Sequence, residues 1–283
     1  LPSAHAVERE FRVISALAPA GVPVPKAHAL CEDADVIGAP FYVMERVEGR
    51  NLWEGPLPEI PREGRAAMYE GMVDALARLH NVDPDIVGLS DYGAPGNYFE
   101  RGVGRWTKQY RASETETIDA MERLIAWLPQ TVPAQERTSV LHGDYRLDNL
   151  IFHPSEPRVI AMLDWELSTL GDPLADFSYF AMNWVMPAET GRAGLGGLDL
   201  DALGIPPLER IAERYAELTG RTSVPSLDWY IAFNLFRLAG ILQGVKKRHI
   251  DGNASSKEAS KMIDSIGPLS DQAWHFAQRA GAA

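Results

Sequence analysis

Cysteine is almost absent from this sequence of 283 residues, which contains only Cys31. A single thiol cannot form an internal disulfide, which is typical of proteins in a reducing compartment, so we expect a cytoplasmic protein. Long apolar runs are also absent: nowhere do about 18 apolar residues follow one another, and we expect no membrane span. Basic residues are outnumbered by acidic ones, 27 to 39, which gives a net charge of −12. That balance argues against nucleic acid as a partner.

The apolar content, 46%, is sufficient for a sizeable core. The most informative segment is polar: His142-Gly143-Asp144-Tyr145-Arg146-Leu147-Asp148-Asn149, which follows a short apolar run at 139–141. Two further apolar runs come next, at 150–152 and 159–163, and Pro and Ser between them mark a turn. We therefore predict a strand, a polar loop and a hairpin, with Asp164 at the end of the hairpin.

Such a hairpin would place Asn149 beside Asp164, with Asp144 facing them. Phosphoryl transfer needs metal ions on the phosphates and a carboxylate that orients the attacking hydroxyl. Mg²⁺ prefers one or two carboxylate or amide oxygens together with substrate phosphates, so Asn149 and Asp164 are candidate metal ligands. Asp144 fits the catalytic base. Arg146 follows it closely, and its fixed positive charge suits the transferring phosphate.

These segments resemble a known family. Residues 142–149 followed by Leu163-Asp164-Trp165-Glu166 are similar to the aminoglycoside phosphotransferase family, small-molecule relatives of the protein kinases, whose matching segments are His-Arg-Asp-x-x-x-x-Asn and Asp-Phe-Gly. Gly171-Asp172-Pro173-Leu174-Ala175-Asp176-Phe177 resembles the family as well. Within the family, 142–149 and Asn97-Tyr98-Phe99-Glu100-Arg101 look most like the kinase-like domain fused to some acyl-CoA dehydrogenases and its free-standing bacterial relatives.

The resemblance implies an α+β fold of the two-lobed protein-kinase type. A partial N-terminal lobe would occupy residues 1–49, and a large, mainly helical lobe would occupy 50–283, with the catalytic hairpin at 139–164. It also implies ATP, Mg²⁺ and transfer of the γ-phosphate to a small-molecule hydroxyl. Family nucleotide sites have a Gly-rich loop and a strand Lys ahead of the first helix, and we expect both upstream of Leu1.

The nucleotide site is also assigned by resemblance. Glu10 has the position of the family Glu that pairs with the strand Lys, with Glu8 as the alternative. The strand predicted over 41–47 would lead into the adenine slot, which needs an apolar cleft and backbone hydrogen-bonding groups. The implied hinge residues, with the first at the gate, are Met44, Glu45, Arg46 and Val47.

Two further polar residues are predicted to be structural. His142 is expected to fix the backbone of the polar loop rather than to take part in the chemistry. Asp176 lies in an apolar helix predicted over 173–184, and a buried carboxylate must accept hydrogen bonds. By resemblance, it braces the loop that carries His142 and Asp144.

Elsewhere the spacing of apolar residues predicts strands and helices. The predicted strands cover 26–31 and 41–47, and the predicted helices cover 6–17, 63–80, 98–127, 173–184, 208–218, 226–248 and 257–279. The Gly-rich segment 191–197 is expected to be a mobile loop, because no strand precedes it and no Gly-Lys-Ser/Thr follows.

The acceptor molecule is the most open question. Arg101, Arg105 and Lys108 share a helix face that suits an anionic acceptor such as a hydroxyacyl-CoA, although a solvated face has the same pattern. An aminoglycoside, or another amino or sugar alcohol, would need carboxylates instead. Candidates for these follow in the chain: Glu114, Glu116, Asp119 and Glu122.

Two other classes of protein remain for comparison. A non-catalytic nucleotide sensor is disfavoured by the complete set of Asp144, Asn149 and Asp164. A binuclear metallophosphatase is disfavoured because none of the seven His has Asp two residues before it or Asn directly before it. The oligomeric state stays open.

Overall fold

The computed structural model describes residues 6–188, 193–251 and 263–283. Two compact units are distinguished by their internal contacts. The first contains the chain up to Pro95 and the segment Arg137–Val224, and the second contains Gly96–Glu136 and the chain from Pro225 onward. The predicted boundary between the two kinase-like lobes, after residue 49, does not coincide with the boundaries of these units and stays a prediction.

The described residues form the following helices and strands. The helices are α1 (Val7–Leu17), α2 (Arg62–His80), α3 (Tyr98–Ser113), α4 (Asp119–Trp127), α5 (Leu174–Ala181), α6 (Leu200–Leu203), α7 (Leu208–Thr219), α8 (Asp228–Ile250) and α9 (Ile266–Arg279). The strands are β1 (Ala27–Cys31), β2 (Phe41–Met44), β3 (Arg50–Asn51), β4 (Ser139–Leu141), β5 (Leu150–Phe152), β6 (Val159–Met162) and β7 (Thr169–Gly171).

The predicted catalytic hairpin is present as the antiparallel pair β5 and β6. β3 pairs with β5, and β4 pairs with β7 in a separate small sheet. β1 and β2 form a further antiparallel pair, in which Leu30 faces Tyr42. β3 and β7 have no counterpart among the predicted strands, because Arg50-Asn51 and Thr169-Leu170-Gly171 are not apolar runs.

Helix α2 packs closely on the hairpin of the first unit. A Cβ atom at Gly71 of α2 would lie 2.0 Å from the carbonyl oxygen of Pro157, so the glycine permits backbone contact with the β5–β6 turn. α5 is buried except at Tyr179, as its apolar sequence predicts. α1, α2, α5 and α7 confirm the predicted helices of this unit to within a few residues.

The second unit consists of α3, α4, α8 and α9. The prediction of one continuous helix over 98–127 is wrong, because α3 ends at Ser113 and α4 begins at Asp119. The side chain of Gln243 on α8 donates to Ser113 O and to Thr115 Oγ1, both at 2.8 Å, and these bonds satisfy the end of α3. The buried helix predicted from residue 226 is confirmed as α8.

Two predicted segments extend beyond the described residues. Residues 257–262 of the last predicted helix are outside them, and α9 is its described part. Residues 191–192 of the predicted loop are also outside, whereas Gly196 pairs with Pro187. Among the described residues, no helix combines the length and apolar character needed to cross a membrane.

Candidate active site

The polar loop after β4 brings Asp144 and Asn149 into contact, as the spacing predicted. Nδ2 of Asn149 donates to the backbone oxygen of Asp144 at 2.9 Å and to its Oδ2 at 3.2 Å. Asn149 is buried, and Asp144 is half-buried with 19% of its side chain exposed. A short 3-10 turn, Leu147–Asn149, leads from the loop into β5 and fixes this geometry.

Asp164 lies two residues after β6, and its neighbour Leu163 is bonded to Asn149. The backbone N–H of Leu163 donates to Asn149 O at 2.8 Å, so Asp164 is one residue beyond the hairpin bond. Its φ of +67° is in the left-handed region, which residues with a side chain rarely adopt. Strain of this kind persists only where the surroundings fix the backbone, and it is common at functional sites. The Asp164 carboxylate is exposed.

His142 joins the loop to the hairpin through both ring nitrogens. Nδ1 accepts the N–H of Asp144 at 3.3 Å, which leaves the ring proton on Nε2 to donate to Leu163 O at 2.9 Å. Burial lowers the pKa of His142, so the imidazole is neutral. Because both nitrogens are occupied in this way, the ring holds the loop and has no proton-accepting atom left for a substrate.

Asp176 on α5 accepts from the backbone of the same loop. The N–H groups of His142 and Gly143 donate to its two carboxylate oxygens at 2.6 and 2.9 Å. His80 Nε2 lies 3.3 Å from Oδ2, and His80 Nδ1 lies 2.7 Å from the hydroxyl of Tyr215. Burial by itself would raise the pKa of Asp176, but the hydrogen bonds from His80 and from the loop backbone hold it below the usual range.

His80 has no counterpart among the residues selected from sequence. Its only signal is a polar residue at the end of the apolar face of α2. Burial lowers its pKa, so it is a neutral ring between Tyr215 and Asp176.

Gly143 allows the loop to approach the segment after Asp164. Its φ is +84°, and a Cβ atom there would lie 2.4 Å from Leu167 O. Any side chain at this position would separate the two segments.

Arg146 lies beside Asp144, with Nε 3.6 Å from Asp144 Oδ2. Its guanidinium also forms an ion pair with Asp148, a contact that the sequence does not reveal. Asp148 thereby orients the arginine whose charge faces Asp144.

The predicted nucleotide residues lie on α1 and around β2. The hydroxyl of Tyr42 donates to Glu10 Oε2 at 3.1 Å. Burial, the charge of Glu10 and, less strongly, that of Asp164 raise the pKa of Tyr42 to about 12. Met44, Glu45 and Arg46 are exposed, and Val47 is half-buried. The backbone N–H of Glu45 donates to Lys26 O at 2.8 Å, and this bond extends the β1–β2 pairing.

The predicted acceptor residues lie on α3, in the second unit. Arg101 donates to Gly96 O at 2.5 Å, so it secures the start of its own helix. Arg105 and Lys108 are exposed. Lys108 is at the edge of a cavity of about 340 Å³, whose other lining residues include Val103, Gly104, Thr107, Ile125, Pro129 and Val132.

Comparison with known proteins gives a consistent result. A family model described as a phosphotransferase enzyme family matches residues 1–230. Acyl-CoA dehydrogenase family member 10 of Mus musculus is 47% identical over 282 residues, which are 99% of this chain and 26% of that protein. The chain thus spans about a quarter of the length of this curated relative.

Solved structures share the arrangement of elements. A protein from Ralstonia eutropha, provisionally named an aminoglycoside phosphotransferase, is 51% identical with a TM-score of 0.93, over 97% of this chain and 84% of that one. A thermostable aminoglycoside phosphotransferase mutant, solved with AMP-PNP and hygromycin B, is 15% identical with a TM-score of 0.61, over 97% and 84%. At that identity the second likeness concerns the fold alone.

Proposed function

Because this chain belongs to the phosphotransferase enzyme family and shares the kinase-like α+β fold of its solved neighbours, we propose that it transfers the γ-phosphate of ATP to a small-molecule hydroxyl, with Mg²⁺ as cofactor. The predicted family, fold and reaction class are thereby confirmed at that level. One observation carries the proposal for the site residues. Asn149 donates to the Asp144 carboxylate at 3.2 Å, and its backbone oxygen accepts from the N–H of Leu163, the residue before Asp164. Protein kinases use this combination for phosphoryl transfer, with one Asp on the acceptor hydroxyl and an Asn and a second Asp on Mg²⁺.

We assign Asp144 as the general base. It would orient the acceptor hydroxyl and take its proton on a carboxylate oxygen as the hydroxyl oxygen attacks the γ-phosphorus, while the bond from that phosphorus to the β,γ-bridging oxygen breaks and ADP leaves. The bond from Asn149 fixes the carboxylate, while partial exposure leaves it within reach of a substrate. Arg146, anchored by Asp148, would stabilise the charge of the transferring phosphate.

The residues present fit Mg²⁺. Two hydrogen bonds occupy Nδ2 of Asn149, so its amide oxygen is the atom that remains for a cation. Asp164 adds an exposed carboxylate. The described residues contain no group of three or more His, Cys, Asp or Glu that could hold a metal, which suits an ion that takes few protein ligands and completes its shell with phosphates and water. When bound, Mg²⁺ would offset phosphate charge.

For the nucleotide we propose Glu10 and the hinge. Glu10 would orient a phosphate-binding lysine, and its hydrogen bond from Tyr42 supports a fixed carboxylate. The adenine would meet the backbone of the segment that begins at Met44. Because the N–H of Glu45 is already bonded to Lys26 O, the groups that we assign are the C=O of Glu45 and the N–H of Val47, with Arg46 between them.

A hydroxyacyl-CoA is the acceptor that we place first. Its phosphates suit the exposed cations Arg105 and Lys108, and its acyl chain suits the mainly apolar cavity beside Lys108. The acyl-CoA dehydrogenase name of a 47% identical relative supports the same class. Arg101 is less suited to bind a substrate, because it is hydrogen-bonded to Gly96.

An aminoglycoside or another amino or sugar alcohol is the second candidate, and the hygromycin B complex of one structural neighbour favours it. The acidic residues that would bind a polycation are partly neutralised, since Glu114 and Glu122 pair with Arg111 and Glu116 pairs with Lys246. A non-catalytic nucleotide sensor is the third candidate. The complete set of Asp144, Asn149 and Asp164 argues against it.

An acceptor screen tests the proposal. ADP release and phosphorylated products would be measured with a hydroxyacyl-CoA, the same acyl-CoA without the hydroxyl, an aminoglycoside, a sugar and an amino alcohol. We expect phosphorylation of the hydroxyacyl-CoA only. Arg105→Glu with Lys108→Glu should raise its KM several-fold, less so at high salt, whereas Arg210→Glu, at an exposed site on α7, should not. Efficient phosphorylation of the aminoglycoside would overturn the acceptor class, and ATP binding without any transfer would favour the sensor.

A further inference from the structure

A group of hydrogen bonds joins α1 to the loop that begins at Asp164. Arg9, the neighbour of Glu10, donates through Nη2 to Tyr92 O at 3.0 Å and to Ser168 O at 3.4 Å. Its guanidinium carbon lies 4.3 Å from the centre of the Tyr92 ring, within the range of a cation–π interaction. One arginine therefore contacts two loops that are remote from it in sequence.

Tyr92 is the centre of this group and is 1% exposed. Ser168 donates its hydroxyl proton to Trp165 O at 2.5 Å, so its oxygen can accept the Tyr92 proton at 2.7 Å. The backbone oxygen of Arg9, at 3.2 Å, is a second and weaker acceptor. Burial raises the pKa of Tyr92, so the hydroxyl keeps its proton.

Backbone contact holds the Tyr92 loop in place. A Cβ atom at Gly93 would lie 2.6 Å from Leu170 N, so the two segments touch directly. The loop therefore cannot move toward β7, and a displacement of Ser168 would have to break side-chain bonds.

We propose that Tyr92 is a positioning residue of the nucleotide site, which holds Glu10 and Asp164 in one arrangement before any nucleotide binds. The inference rests on the proposed function, in which Glu10 orients the phosphate-binding lysine and Asp164 binds the metal. Tyr92 contacts Arg9, the residue next to Glu10, and Ser168, in the segment that begins at Asp164. The charges of both carboxylates also act on the Tyr42 hydroxyl, whose pKa they help to raise. A site arranged in advance binds more tightly, because binding does not have to order it.

The test compares hydroxyl deletions at two buried tyrosines. Tyr92→Phe removes the bond to Ser168 and the weaker one to Arg9 O, and it keeps the ring under Arg9. It should raise the Kd for MgATP, measured by calorimetry, by roughly fivefold, the effect of one buried hydrogen bond, and leave kcat at saturating nucleotide nearly unchanged. Ser168→Ala should also raise the Kd, and the effects of the two substitutions should not add fully in the double variant, because both remove the Tyr92–Ser168 bond.

Tyr69→Phe is the matched control. The Tyr69 hydroxyl is also buried and donates to Gly55 O at 2.6 Å, so its loss should lower thermal stability comparably without changing the Kd for MgATP. Equal effects of Tyr92→Phe and Tyr69→Phe on the Kd, or no effect of Tyr92→Phe, would overturn the inference and leave the proposed function intact. Absence of MgATP binding by the unmodified protein would overturn both.

Discussion

Hydrogen bonds fix the protonation state or the orientation of individual side chains around the polar loop at 142–149. His142 has its proton on Nε2 and cannot act as a base, because both ring nitrogens are occupied. Asp176 is ionised. Its carboxylate accepts from the backbone N–H groups of the loop and lies within hydrogen-bond distance of His80. Asn149 is oriented by its amide nitrogen. Asp144 is the partly exposed carboxylate of this loop that Asn149 holds.

Replacement of Asp164 should separate metal binding from base catalysis. Asp164→Ala deletes an anionic ligand, so phosphate charge is left uncompensated, and MgATP should bind at least about tenfold more weakly. Calorimetry with and without Mg²⁺ measures this, and Asp144→Asn should change the affinity much less. Asp85→Ala, which removes an exposed carboxylate of the same unit, is the control. If the unmodified protein binds ATP equally well without Mg²⁺, the metal assignment is wrong.

The buried histidines predict a pH dependence of stability. Burial lowers the pKa of His80 and of His142 from the ordinary value of 6.5, so the folded state keeps both neutral while the unfolded chain takes up protons. The free energy of unfolding should therefore fall as the pH drops below 6.5, by up to about 1.4 kcal/mol per pH unit for each histidine. Urea denaturation at successive pH values between 7.5 and 5.5 would measure it.

Variants identify the source of that dependence. His80→Gln should reduce the slope by about half, because one of the two titrating groups is gone. His28→Gln, at an exposed position of β1, should leave it unchanged. A free energy of unfolding that stays constant across this range would contradict the neutral buried rings.

At the scale of elements, a substitution on α3 tests whether the cavity beside Lys108 binds the acyl chain of the acceptor. Gly104 lines the cavity, and a Cβ atom there would meet nothing within 4 Å, so Gly104→Leu should occupy part of the cavity, and the loss of a helical glycine favours folding. The KM for long-chain hydroxyacyl-CoA should rise more than that for short-chain substrate. Gly267→Leu on α9, equally open, should change neither. An equal rise in KM for long-chain and short-chain substrates, or no rise for either, would rule out the cavity as the site of the acyl chain.

The elements also show what sequence can predict. β5 and β6 follow from two apolar runs around a turn, and the Asp144–Asn149 contact follows from their short separation in the chain. The break between α3 and α4 does not, because it depends on Gln243, a residue 130 positions away from Ser113. His80 and Tyr92 were missed for the same reason, since their partners are distant in sequence and the residues carry no motif.

At the scale of the whole molecule, family and fold are shown, and the acceptor is proposed. The chain spans about a quarter of the length of a curated acyl-CoA dehydrogenase relative. A cytoplasmic location stays a proposal, based on a single cysteine. The specific roles of Asp144, Arg146, Asn149 and Asp164 also stay predictions until variants are measured.

The central claim is that Asp144 activates an acceptor hydroxyl for phosphoryl transfer. The most direct measurement is transfer of labelled γ-phosphate from ATP to hydroxyacyl-CoA by the unmodified protein, by Asp144→Asn, and by the control Asp85→Asn. Loss of a general base typically lowers the rate about 10²–10⁴-fold, so Asp144→Asn should lose that much while its MgATP affinity stays near that of the unmodified protein, and Asp85→Asn should keep full activity. Full phosphotransfer by Asp144→Asn would contradict the account.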